Sequence, residues 1–77
     1  MKTEILFFGM IADATGTKEM HLAGLKDTDS LREKLALQYP ALKNMKYLLA
    51  VNRQVIKTNT ILNEGDAVAC LPPFSGG

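Results

Sequence analysis

Apolar and polar positions alternate along residues 3–8, "TEILFF", with the period of a β-strand. Thr3, Ile5 and Phe7 share one side; Lys2, Glu4, Leu6 and Phe8 share the other. The charges mark that second side as the one facing water, yet Leu6 and Phe8 lie on it too. Residues 9–16 mix Met10, Ile11 and Ala12 with Asp13 and Thr15, which fits either a loop or a single helical turn closing at Gly16. Residues 18–23, "KEMHLA", alternate again and predict a second strand antiparallel to the first. Glu19 and His21 fall on one face of it, Met20 and Leu22 on the other.

The pattern then changes period. In "KDTDSLREKLALQYP", Leu31 and Leu35 stand at i, i+4, Asp29 falls in the first turn and Thr28 is the expected N-cap, so a helix runs from there to Pro40. Arg32, Glu33 and Lys34 form its solvated face, and the residue before Pro40 avoids helical angles. After a linker, "YLLAVN" (47–52) is a continuous apolar run, the mark of a strand buried on much of both faces. "RQVIKTNT" reads as a turn and a short strand. Asn63-Glu64-Gly65-Asp66 is a turn, with Gly65 at positive φ and Asp66 capping it. Ala67–Leu71 is the last strand: Val68 and Cys70 on one face, Ala67, Ala69 and Leu71 on the other. The order β, β, α, β, short β, β predicts an α+β fold of the β-grasp, ubiquitin-like kind. It is a mixed sheet of four to five strands with one main helix packed on it.

Composition narrows the function classes. At 77 residues the chain makes one core. The 47% hydrophobic and 22% charged fractions are those of a soluble globular domain. A net charge of +1, without a basic cluster, argues against a nucleic-acid partner. No apolar run approaches the roughly 20 residues that span a bilayer, and "MKTEILFFGM" reads as a first strand rather than a signal peptide. The single Cys70 rules out an internal disulfide and a multi-cysteine metal site, which fits a reducing cytoplasm. It is expected as a small buried hydrophobe beside Val68. His21 is read as a surface residue with no partner at ligand spacing. Met10, Met20 and Met45 cluster with nothing, so no metal site is expected. With one His and one Cys, no base, nucleophile and orienting group assemble into a stand-alone active site.

What remains is the end of the chain, "LPPFSGG". Pro72-Pro73 favours an extended, semi-rigid path, and Gly76-Gly77, lacking Cβ atoms, suits a narrow channel. At about 3.3 Å per residue, Pro72 to Gly77 reaches roughly 20 Å at most. The expected organisation is a β-grasp domain over 1–71 and an extended, flexible tail over 72–77. Four stretches, "ILFFG", "DSLREKL", "LLAVNRQ" and "LNEGDAVACLPPFSGG", carry a resemblance to a known family. The chain is similar to the MoaD-type small subunits of molybdopterin synthase, among the ubiquitin-like MoaD/ThiS sulfur carriers. Departures are Gly9, where alanine is common, and Phe74, where a β-branched aliphatic is usual.

The resemblance implies that Gly77 supplies the chemistry through its main-chain carboxylate, with Gly76 allowing the tail to thread. An E1-like, MoeB-type activating enzyme, using ATP and Mg²⁺, would adenylate that carboxylate. A sulfurtransferase or cysteine desulfurase would supply sulfur for a terminal thiocarboxylate. The large, MoaE-type synthase subunit would receive it for transfer to a cyclic pyranopterin monophosphate, in a heterotetramer built on a dimer of large subunits. The carrier itself would bind no cofactor. Phe8, Val55 and Leu71 would form the apolar docking patch on the sheet, with Pro72, Pro73, Phe74 and Ser75 lining the threaded path. The other functions considered are sulfur delivery to thiamine thiazole synthesis or tRNA thiolation, a ubiquitin-like modifier of lysines, and an interaction module with an idle tail.

Overall fold

The structure is a computed structural model that describes residues 2–73. Five strands form one sheet in the order β2-β1-β5-β3-β4: β1 Thr3–Phe7, β2 Glu19–Leu22, β3 Leu48–Val51, β4 Gln54–Ile56 and β5 Ala67–Leu71. β1 and β2 are antiparallel, as are β3 with β4 and β3 with β5, whereas β1 and β5 run parallel. This is the mixed sheet of a β-grasp domain. The helices α1 (Gly9–Thr15) and α2 (Thr28–Gln38) and a 3₁₀ turn at Pro40–Asn44 complete it.

All three helical pieces feed one core. Ile11 of α1, Leu31 and Leu35 of α2 and Leu42 of the 3₁₀ turn pack with Ile5, Phe7, Leu49, Val68 and Cys70 from the sheet. The alternation in the strands sends those residues inward, so the opposite sheet face is left to a different use.

Five expectations need correction. Residues 9–16 form neither a loop nor a lone turn but a seven-residue helix. It exists because Ile11 is fully buried against the sheet, a tertiary gain that local propensity does not register. Phe8 is not the last residue of β1: it is the extended N-cap of α1. The stretch expected as linker contains the 3₁₀ turn, anchored by buried Leu42. The N-cap of α2 is Asp27, not Thr28. The Asp27 carboxylate accepts from the Ser30 N–H at 2.9 Å.

Thr28 is instead drawn inward as the first helical residue. Its Oγ1 donates to Asn59 Oδ1 at 3.2 Å and accepts from the Thr60 N–H at 2.9 Å. Asn59 completes the knot, accepting from the Asp29 N–H and donating through its amide to Asp27. The start of α2 is therefore tied to a segment some thirty residues later, and long range decides the cap. The face read as solvated is also only partly so, because the Arg32 guanidinium lies 5.0 Å from the centre of the Tyr47 ring. The turn at residues 63–66 is as expected: Gly65 has φ of 87°, and Asp66 accepts from the Asn63 N–H at 2.8 Å.

Two outcomes follow from the knot. Thr28 is almost fully buried, so Thr28→Val keeps the shape but strands the Thr60 N–H; the loss expected in urea unfolding is about 1–3 kcal/mol. Backbone and side-chain hydrogen bonds hold the Asp27 carboxyl below its ordinary 3.8, chiefly the one from Ser30. A lowered folded-state value means stability that is present above the ordinary value and lost as pH falls through the lowered one. Asp27→Asn keeps an acceptor but cannot titrate, so its unfolding midpoint should fall less steeply with acid than the parent's. Parallel acid limbs would contradict this.

Candidate functional site

β5 occupies the centre of the sheet, with β1 on one side and β3 on the other. Its ladder extends past β1 to the Phe8 N–H, which donates to the Cys70 carbonyl at 3.1 Å. Beyond Leu71 come two prolines, which have no N–H to offer a neighbouring strand. Pro72 is half-buried against the start of α1: a Cβ placed on Gly9 would stand 3.1 Å from the Pro72 Cγ, and Gly9 has φ of 55°. Glycine at this departure from the family pattern thus permits both the backbone angle and the close approach of the ring. Phe74, Ser75, Gly76 and Gly77 lie outside the described residues.

The register defines the sheet face opposite the helices. Glu19, Leu6, Ala69, Ala50 and Val55 are successive cross-strand partners and make one row. Leu48 and Leu71 pair in the next row, with Phe8 leading toward it from β1. Phe8 is 45% exposed and Val55 51% exposed, while Leu6 and Leu71 are half-buried. The structure therefore places Phe8, Val55 and Leu71 on one face, together with Leu6 and three alanines. Alternation alone puts Ala67 and Ala69 on the face of Leu71, and the β3–β5 register adds Ala50 to that surface.

Titratable groups are sparse here. Cys70 points the other way, into the core, and burial pushes its thiol up to about 12. It stays protonated at neutral pH and is not a nucleophile. His21 is not alone, contrary to expectation: its Nε2 lies 3.8 Å from Glu4 Oε2 across the β1–β2 ladder. With Glu19 it brings three donor atoms within 4.8 Å of one another. All three side chains are at least partly exposed, which makes this a surface ion cluster rather than a ligand cage. Among the described residues no helix is long and apolar enough to cross a membrane.

The chemistry the arrangement offers is presentation. It has an apolar face and, at one end of that face, a central strand running out into Pro72-Pro73. Comparison with known proteins agrees with a carrier scaffold. Residues 5–77 match the ThiS family. The chain is 33% identical to a molybdopterin synthase sulfur carrier subunit of Escherichia coli, covering 96% of this chain and 98% of that one. It is 30% identical to the protein of that name in Mycobacterium tuberculosis, over 100% and 99%. Among solved structures it resembles a complex of subunits 1 and 2 of the molybdopterin-converting factor from Helicobacter pylori, with a TM-score of 0.74, 28% identity and full coverage of both chains. It also resembles the small archaeal modifier protein 1 of Methanosarcina acetivorans, with a TM-score of 0.80 and 28% identity over 99% and 96%. A match that begins in β1 and runs through Gly77, with relatives at this identity over nearly their whole lengths, makes the chain a member of the ThiS family.

Proposed function

We propose that this protein is the sulfur-carrier subunit of a molybdopterin synthase, with the Gly77 carboxylate as its working group. The observation that carries the reading is the whole-length similarity to two curated carriers of that name, taken with a family match that extends through the Gly-Gly end. The geometry supports it: an apolar sheet face free of helices adjoins the strand that leads to that end.

A carboxylate is a poor acyl donor, because its leaving group would be oxide. Adenylation by an E1-like activating enzyme removes the obstacle. A Gly77 carboxylate oxygen attacks the α-phosphorus of ATP, pyrophosphate leaves, and an acyl adenylate remains. ATP and Mg²⁺ belong to that enzyme. A persulfide held by a sulfurtransferase or cysteine desulfurase then attacks the acyl carbon and expels AMP. Reduction of the resulting acyl disulfide by a thiol leaves a terminal thiocarboxylate. In this reading the large synthase subunit receives the tail, and the sulfur passes to cyclic pyranopterin monophosphate. Phe8, Val55 and Leu71 hold the body against the partner, and Pro72, Pro73, Phe74, Ser75 and Gly76 line the path to the reacting atom. The assembly is a heterotetramer on a dimer of large subunits.

A second reading has a specific observation behind it, the similarity to a small archaeal modifier protein. Both readings use an activated Gly77, but a modifier leaves isopeptide-linked ladders on other proteins.

Intact-mass analysis after incubation with the activating enzyme, ATP and a persulfide donor should show sulfur in place of one oxygen, mapped to Gly77. Adding one alanine after Gly77 should abolish the gain, and a gain that survives the addition overturns the reading. Leu71→Arg places a charge in the docking face. Its affinity for the large subunit, measured by calorimetry, should fall by about tenfold or more with the fold intact by circular dichroism.

A further inference from the structure

The outward face of the sheet is not evenly apolar. Its centre is floored by Ala50, Ala67 and Ala69, with Ala50 and Ala69 directly opposite each other across β3 and β5. Around them stand larger groups: Leu6 and Phe8 on β1 and its extension, Glu4 at the β1 end, Asn52 and Arg53 at the β3–β4 turn. The result is a trough of about 450 Å³. Alanine is depleted in strands, where β-branched and aromatic side chains pack better against their neighbours. Three of them on adjoining positions in the middle of a sheet leave missing volume rather than a flat patch.

The rim has a charge to spare. Glu4 faces His21 across the β1–β2 ladder, whereas Arg53 makes no ion pair among the described residues. The hairpin that carries Arg53 is tied down through its neighbour. Asn52 and Arg53 both have positive φ, 49° and 71°, in the two-residue hairpin between Val51 and Gln54. Side chains without glycine's freedom adopt this backbone at a cost. Asn52 offsets it by bonding to β5 and the preceding turn: its Oδ1 accepts from the Ala67 N–H at 3.0 Å, its amide donates to Asp66 at 3.0 Å, and its own N–H donates to the Ala67 carbonyl at 2.8 Å. The hairpin is pinned to the trough's edge, and it carries a cation with no ion-pair partner among the described residues.

We propose that the alanine-floored trough is a socket that takes one bulky apolar side chain of the large synthase subunit, with a carboxylate of that subunit beside it paired to Arg53. This rests on the sulfur-carrier reading and adds the shape and charge of the contact. A buried apolar anchor in a fitted pocket, with a charge at its rim, is the usual composition of a binding hot spot. The rival for the same face is a flat adhesive patch, and the two differ in sign: filling a socket weakens binding, whereas enlarging an adhesive patch strengthens it.

The test is calorimetric titration of the purified large subunit with the full-length chain and its variants. Ala69→Leu, which adds apolar area but fills the floor, should weaken binding by about tenfold or more, and Ala67→Leu should act in the same direction. Thermal unfolding of each variant confirms the fold, and having two fillings guards against one that misfolds. Arg53→Glu should weaken binding further than Arg53→Gln, and the parent affinity should fall with added salt more than that of Arg53→Gln. If Ala69→Leu and Ala67→Leu bind as well as the parent or better while Leu71→Arg does not bind, the socket is refuted and the carrier reading stands. If the parent itself fails to bind the large subunit, both are overturned.

Discussion

The period-two alternation of β5 is the constraint on which the rest depends. Val68 and Cys70 are fully buried between the sheet and the helices, and a strand that buries one set of side chains must present the other. Ala67, Ala69 and Leu71 are therefore turned to the open face. Because β5 is clamped by a parallel neighbour on one side and an antiparallel neighbour on the other, its register cannot slip without exposing the core. The point and direction at which the chain leaves the sheet at Pro72 are fixed by the same pairing. Core, open apolar face and chain exit are three consequences of one strand.

The chemistry asked of such a body is small, which matches what it contains. Under the proposed function, a carrier need only hold its end steady and be recognised, with bond making left to the enzymes that bind it. The one thiol is placed where burial suppresses its ionisation, which keeps it from acting as a nucleophile at neutral pH. The nearest titratable cluster, Glu4, Glu19 and His21, sits at the β1–β2 side of the sheet rather than at the tail. Under the proposed function, recognition through the open face and reaction through the end would thereby be separated.

Much of this was legible in the residues, and the exceptions have a common cause. The alternation of β1 and β5, the Leu31–Leu35 spacing of α2 and the turn at Gly65 are local signals, and each element stands where its signal lies. Thr28 and Asp27 are both good caps by type. What separates them is Asn59 and Thr60, which claim the Thr28 hydroxyl from across the chain. Phe8 continues the apolar run of β1, yet its backbone is committed to starting α1, a helix that owes its existence to the burial of Ile11. The alanines of the trough are unremarkable singly. Alternation puts Ala67 and Ala69 on one face, and the pairing of β3 with β5 sets Ala50 beside them. The Gly-Gly signal was plain in the sequence, while the contact by which Pro72 leans on Gly9 depends on the fold.

An exposed apolar face carries a hazard that the same features restrain. Large contiguous apolar surface invites association with the wrong partner, and a floor of alanines exposes less of it than leucine or valine would. The edges of the sheet are also unfavourable to stray pairing. β4 is only three residues long, ends at a strained hairpin and is flanked by Arg53 and Lys57. β2 is four residues long and carries Glu19 and His21 outward. Short, charged edges blunt strand addition. Under the proposed function, a carrier must stick to its partner without sticking to itself, and a recessed centre bounded by charge meets both demands with one arrangement of side chains.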